Sequence, residues 1–262
     1  MAIKQRKGND MLEMFEKEKT VCPECNGTGW VVVNATDNVV RPCSCLLKTR
    51  KDNKLRFANI PPKYADKRVT DITTEMYSKL ESVDRIKTAI AALKEYIERI
   101  DEMQAAGQGL YLYSNAKGSG KTLSACALSN ELMDLDKQVK FSDAPTILAE
   151  IKRTYEKDTE SQYTENKLLD ALVTTEILVI DDFGTEKVTD WVNDKFYHII
   201  NQRYVNKKVT IYTSNEIISD LDYDKRIKDR VTEMSFVIPY PEESIREVIG
   251  LQNSFGLKAL CQ

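Results

Sequence analysis

The chain has 262 residues, 42% apolar and 30% charged, with a net charge of −3. This is the balance of a globular protein, and it argues against a generally basic nucleic-acid coat while leaving room for a local basic groove. No stretch approaches the ~18 apolar residues of a membrane helix, and the opening MAIKQRKGND lacks the apolar core of a secretory signal. The expected location is cytoplasmic, without membrane association.

Residues 10–20 pattern as a short amphipathic helix. Four of the six cysteines follow in 22–45, around a β-rich stretch at Trp30–Val33 and a second near Val39. Residues 46–57 are basic and helix-prone, and Pro61-Pro62 breaks them. That break divides the chain into an N-terminal region, 1–60, and a larger domain, 61–262. Apolar residues recur every three or four positions from Leu80 to Ile100, predicting one long helix or two over 75–105. Gly107 and Gly109 end it.

Strands and helices then alternate. Strands are expected at Leu110–Tyr113, Val139–Phe141, Ile177–Ile180, Val209–Thr213 and 235–239. Helices are expected at Lys121–Met133, 144–155, 164–173, Thr189–Tyr204, 223–232 and 242–249. This alternation predicts an α/β fold with a mostly parallel sheet flanked by helices.

The segment Asn115-Ala-Lys-Gly-Ser-Gly-Lys-Thr122 lies between a predicted strand and a predicted helix. It fits the phosphate loop G-x-x-x-x-G-K-[ST] everywhere except its first place. Gly118 and Gly120 allow a sharp turn whose N–H groups face phosphate oxygens. Lys121 reaches the outer phosphates and Thr122 ligates Mg²⁺. The nucleotide-binding residues are therefore Asn115, Ala116, Lys117, Gly118, Ser119, Gly120, Lys121, Thr122 and the following Leu123. Asn115 is accommodated because asparagine accepts left-handed backbone angles.

Ile177-Leu-Val-Ile-Asp-Asp182 reads as a buried strand ending in two carboxylates. Asp181 would hold Mg²⁺ through water, and Asp182 stands where a base or water-orienting group belongs. Asn215, in Thr213-Ser-Asn215, could contact the γ-phosphate or attacking water, or simply form a turn. Arg226, Arg230 and Arg246 could equally be surface charge. No guanine-reading N-K-x-D is present, which favours ATP.

Cys22-Pro-Glu-Cys25 and Cys43-Ser-Cys45 form a structural zinc pattern. Four thiolates close a tetrahedral Zn²⁺ site and leave no open position for catalysis. The second pair's C-x-C spacing leaves a redox pair as the alternative. A module this small would draw much of its folding energy from the metal. Cys126 is expected to be a small buried residue, and His198 to pack or face solvent.

Taken in order, NAKGSGKT, ILVIDDFG, YTSN, RIKDR and ESIR resemble the AAA+ domain of DnaC/DnaI-type replicative helicase loaders, over about residues 58–250. The IstB-type transposition ATPases share the pattern. The resemblance implies an AAA+ P-loop NTPase that hydrolyses ATP with Mg²⁺. It implies sensor roles for Asn215 and, in cis, Arg246. Arg230 would be the arginine finger acting in trans, with Arg226 the runner-up.

It further implies a DnaB-type helicase partner, single-stranded DNA binding, and self-assembly into an oligomer, from a cell or a phage in its bacterial host. The cysteine module resembles the zinc module of some loaders, where it serves partner contact. The alternatives are an IstB-type transposition helper, or a non-hydrolysing nucleotide-gated helicase adaptor or inhibitor.

Overall fold

The computed structural model describes residues 22–34, 39–45, 57–155 and 161–250. The amphipathic helix expected at 10–20 and most of the basic run at 46–57 lie outside them. The chain divides into two units, Met1–Asn53 and Lys54–Gln262.

In the first unit, β1 (Trp30–Asn34) pairs antiparallel with β2 (Val39–Pro42), Trp30 opposite Pro42 and Val32 opposite Val40. The cysteine pairs flank this hairpin.

In the second unit, two short 3-10 turns, Pro62–Tyr64 and Val69–Asp71, lead to α1 (Leu80–Glu98). The apolar stripe of α1 buries Ile86, Ala89, Leu93 and Tyr96, whereas Leu80, at its first turn, is 78% exposed and outside the core. The long periodic segment is two helices. The backbone leaves helical angles at Arg99 (φ −106°, ψ 20°) before α2 (Ile100–Ala106). Gly107 caps α2 at φ +73°, and a Cβ there would sit 2.8 Å from the Lys207 Cα. The left-handed angle and the close backbone both require glycine.

The remaining elements alternate: β3 (Gly109–Tyr113), α3 (Lys121–Asp134), β4 (Val139–Asp143), α4 (Ala144–Tyr155), α5 (Ser161–Thr174), β5 (Ile177–Asp181), α6 (Asp190–Val205), β6 (Val209–Ser214), α7 (Lys225–Glu233) and β7 (Ser235–Pro239). A helical stretch at 245–250 follows. The five strands order β4-β5-β6-β3-β7, and every pair is parallel. The expected parallel α/β sheet is therefore present.

Both faces of the sheet are covered, so the central strands β3, β5 and β6 are buried along nearly their whole length rather than on alternate residues. Ile86, Leu93 and Leu128 pack with Leu110, Val179 and Ile211 in one core. Phe183, Phe196, Ile199 and Tyr223 pack with Leu178, Ile180 and Tyr212 in the other. Cys126 is fully buried, as expected of a small apolar residue, and His198 is exposed. No helix among the described residues is long and apolar enough to cross a membrane.

Candidate functional site

In an open parallel sheet, ligands bind beyond the carboxyl ends of the strands, where the strand order reverses. Here β5, β6 and β3 are neighbours, and the chain leaves their ends at Asp181, Ser214 and Tyr113.

From β3 the chain turns through 114–120 into α3. Gly118 and Gly120 adopt φ +80° and +95°. The loop is buttressed by Tyr77, whose hydroxyl donates to the Ser119 carbonyl at 2.9 Å, and a Cβ on Gly120 would come within 2.9 Å of that hydroxyl. Asn115 is exposed and is not among the described residues with positive φ. The left-handed argument for asparagine at this place is therefore corrected. An ordinary backbone angle needs neither glycine nor its usual substitutes.

The Lys121 ammonium folds back across the loop. It donates to the Ser114 carbonyl (3.1 Å), the Ala116 carbonyl (3.2 Å), Ser119 Oγ (3.2 Å) and Asn215 Oδ1 (3.1 Å). Burial lowers its pKa to about 8, against the pull of nearby Asp182 and Glu242.

Thr122 Oγ1 donates to the Asp181 carboxylate at 3.0 and 3.2 Å. Burial pushes the Asp181 carboxyl up to about 6, against hydrogen bonds from Thr213 and Thr122. Threonine hydroxyl and carboxylate thus form an all-oxygen donor set, the kind that Mg²⁺ prefers. Asp182 sits one step further, exposed and left-handed at φ +52°.

These groups border a cavity of about 510 Å³ that Gly118–Leu123, Asp182, Asn215 and Arg246 help to line. This size suits a small-molecule ligand, and the lining carries both cations and carboxylates. Arg246 lies over the loop, its Cγ within 2.9 Å of where a Gly118 Cβ would stand. Arg226 and Arg230 lie on α7 and are not among the lining residues. Arg230 Nε donates to Asn201 Oδ1 at 2.8 Å, and both guanidinium groups face the Tyr197 ring, at 4.5 Å for Arg226 and 5.0 Å for Arg230.

Sequence reasoning missed several residues here. Lys63, Tyr64, Lys67 and Met76 line the cavity from the segment before α1, and no motif announced them. Thr213 is legible only as the first residue of Thr213-Ser-Asn215, with no role of its own, and Tyr77 not at all, because a threonine at a strand end and a tyrosine in a loop are common everywhere.

In the first unit the four cysteine sulfurs all lie within 4.8 Å of one another. Cys22 and Cys43 are 3.7 Å apart, Cys25 and Cys45 3.3 Å. A tetrahedral metal with ~2.3 Å bonds to sulfur places its ligands about 3.8 Å apart, so the cluster can hold a metal ion. None of the four is joined in a disulfide. Asn26, Gly27 and Gly29 take left-handed angles (φ 48°, 82° and 78°), folding a tight knuckle that brings the Gly29 N–H to Cys25 Sγ at 3.3 Å.

Residues 35–248 match the family of IstB-like ATP binding proteins. The chain belongs to that family. Among individual relatives of this family member, the replicative helicase loader DnaI of Bacillus subtilis is 25% identical over 219 residues, covering 79% of this chain and 68% of that one. The replicative helicase loader DnaC of Escherichia coli is 26% identical over 145 residues, covering 55% and 56%. The chain thus spans little more than half the length of that relative.

Crystal structures of DnaI and of the DnaC helicase loader superpose with TM-scores of 0.57 each, at 22% and 19% identity. Both cover 69% of this chain, and they cover 94% and 99% of their own. The replication initiator DnaA bound to AMPPCP and single-stranded DNA gives a TM-score of 0.54 at 21% identity, covering 70% and 51%. At these identities the likeness shows the fold alone, a parallel sheet flanked by helices.

Proposed function

We propose that this IstB-family protein is an ATP-dependent loader of a DnaB-type replicative helicase onto single-stranded DNA. The observation that carries the reading is the 79% of the chain aligned with a replicative helicase loader. In this reading, residues 1–60 hold Zn²⁺ on Cys22, Cys25, Cys43 and Cys45 and dock on the helicase. Residues 61–262 bind ATP, contact DNA and self-assemble in the cytoplasm.

The same reading divides the chemistry of the ATP site among its groups. The loop 115–123 wraps the phosphates, and Thr122 and Asp181 hold Mg²⁺. Asp182 orients or deprotonates the attacking water, Asn215 senses the γ-phosphate, and Arg246 reaches it in cis. Arg230 enters a neighbouring subunit's site, where charge on the transferring phosphoryl group needs a cation. Hydrolysis would thereby depend on assembly.

The test mixes the purified protein with the replicative helicase of its source. Co-elution of a complex, and helicase loading on single-stranded DNA that requires ATP, are the expected results. No complex and no loading would overturn the proposal.

A transposition helper ATPase is the second reading, favoured by the name of the matching family model and opposed by the cysteine cluster. Capture of a transposase in place of the helicase would select it. A helicase complex with no ATP turnover would select a non-hydrolysing adaptor.

A further inference from the structure

Two adjacent glutamates after β7 face opposite ways. Glu242 accepts the Asn115 N–H on Oε1 (3.1 Å) and the Ala116 N–H on Oε2 (2.9 Å). Glu243 accepts the Ser78 N–H (2.8 Å), the Ser78 hydroxyl (2.5 Å) and the Lys79 N–H (3.2 Å), at the entrance of α1. These bonds hold the Glu243 carboxyl down at about 2. One dipeptide therefore joins the phosphate loop to the helix that follows the cavity wall.

The contacts on either side make this a seam. Ser114 Oγ donates to the Pro241 carbonyl at 2.8 Å, and the Ile245 N–H to the Gly118 carbonyl at 2.9 Å. Ser244 and Arg246 crowd Gly118 so closely that a Cβ there would lie 2.9 Å from either side chain. The stretch 241–246 is thus laid along the loop, with Arg246 at its end over the cavity.

We propose that Glu242 is a positioning residue for nucleotide binding, clipping the segment that carries Arg246 to the entrance of the phosphate loop. The inference rests on the reading of 115–122 as the ATP site and of Arg246 as a cis phosphate contact.

Three physical points support it. A carboxylate receiving two N–H groups on its two oxygens forms charge-assisted bonds in a fixed geometry. The amides it takes are at the loop entrance, so the first-turn amides of α3, which lack intrahelical acceptors, stay available to a phosphate. Lys121 and Arg246 are like charges converging on one cavity, and Glu242 is one of the carboxylates, with Asp182 and Asp181, whose pull on Lys121 opposes that of Arg246. The exposed, ordinary backbone of Asn115 fits the same picture, because the entrance is held by the clip rather than by a special turn.

The sign of the effect separates positioning from bulk electrostatics. Removing a negative charge beside an anion site tightens every nucleotide if charge alone matters. Losing the clip instead weakens the nucleotide that carries a γ-phosphate.

The experiment titrates the full-length protein, with Mg²⁺, with fluorescent ADP and a fluorescent non-hydrolysable ATP analogue. Glu242→Ala and Glu242→Gln should each weaken the ATP analogue about tenfold and ADP less than about twofold. The glutamine keeps the shape and one acceptor, so it serves if the alanine variant melts early. Arg246→Ala should show the same selectivity, and the Glu242→Ala/Arg246→Ala pair should bind no worse than Arg246→Ala alone.

Unchanged or tighter analogue binding, equal losses for both nucleotides, or additive losses would overturn the clip. Wild-type affinity for both nucleotides in Lys121→Ala would instead overturn the ATP-site reading beneath it.

Discussion

Thr213 Oγ1 donates to Asp181 Oδ1 at 2.5 Å while accepting the Asp182 N–H at 3.0 Å. One hydroxyl on β6 thereby holds the Asp181 carboxylate and the Asp182 backbone at the end of β5. A buried carboxylate needs its hydrogen bonds, and among the described residues Thr122 is a second side-chain donor to Asp181.

Thr213→Val keeps the shape and removes the hydroxyl. It should lower Mg²⁺-dependent ATP turnover by about ten- to a hundredfold, the equivalent of one hydrogen bond to a charged group. Nucleotide affinity without Mg²⁺ should stay near wild type. Full turnover in the variant would remove Thr213 from the site's machinery.

The lowered pKa of Lys121 makes two opposite pH predictions. Burial sets it at about 8 rather than 10.5. Between those values the unfolded chain holds a proton that the folded chain has lost, so the nucleotide-free protein gains stability as pH rises from about 8 to 10.5. Phosphate binding favours the charged ammonium, so nucleotide affinity should fall over the same rise. Denaturant unfolding and nucleotide titration across that range check both, and Lys121→Met should flatten both. Parallel trends would contradict the assignment.

Arg203 is fully buried, and the acceptors it meets among the described residues are neutral. Its guanidinium donates to the carbonyls of Leu172, Val173, Thr175, Glu176 and Val209 and to Thr210 Oγ1, tying the end of α5 to the starts of β5 and β6. Arg203→Met orphans several of these acceptors and should cost about 3 kcal/mol or more in urea unfolding. Lysine should not rescue it, having three donors on a point charge and no planar fork. A loss below about 1 kcal/mol would show that the carbonyls find other donors.

Arg230→Ala should leave ATP binding intact and suppress hydrolysis in the assembled protein, by ~10³-fold or more for a finger supplied in trans. Full hydrolysis there, with loss in Arg226→Ala, would move the role one turn along α7.

Purified protein should carry about one equivalent of zinc, lost in Cys25→Ser or Cys43→Ser. Metal analysis decides it, and less than about half an equivalent in the wild-type protein would count against a zinc module.

Much was legible in the sequence by itself. The alternation of apolar strands and helices specified a parallel sheet, because residues that form one strand or one helix turn are near neighbours along the chain. The same locality made the glycine-rich loop, the double aspartate and the cysteine pairs readable, since each depends on spacings of a few residues.

What the tertiary structure decided are contacts between distant segments. Thr213 meets Asp181 because β5 and β6 are neighbours, across a separation of 32 residues. Glu242 reaches Asn115 across 127 residues because β7 lies beside β3. Leu80 fits the apolar period yet stands in solvent, and Asn115 needs no left-handed angle. Periodicity and motif spacing report local backbone geometry. Strand order, which no local pattern encodes, determines which side chains meet.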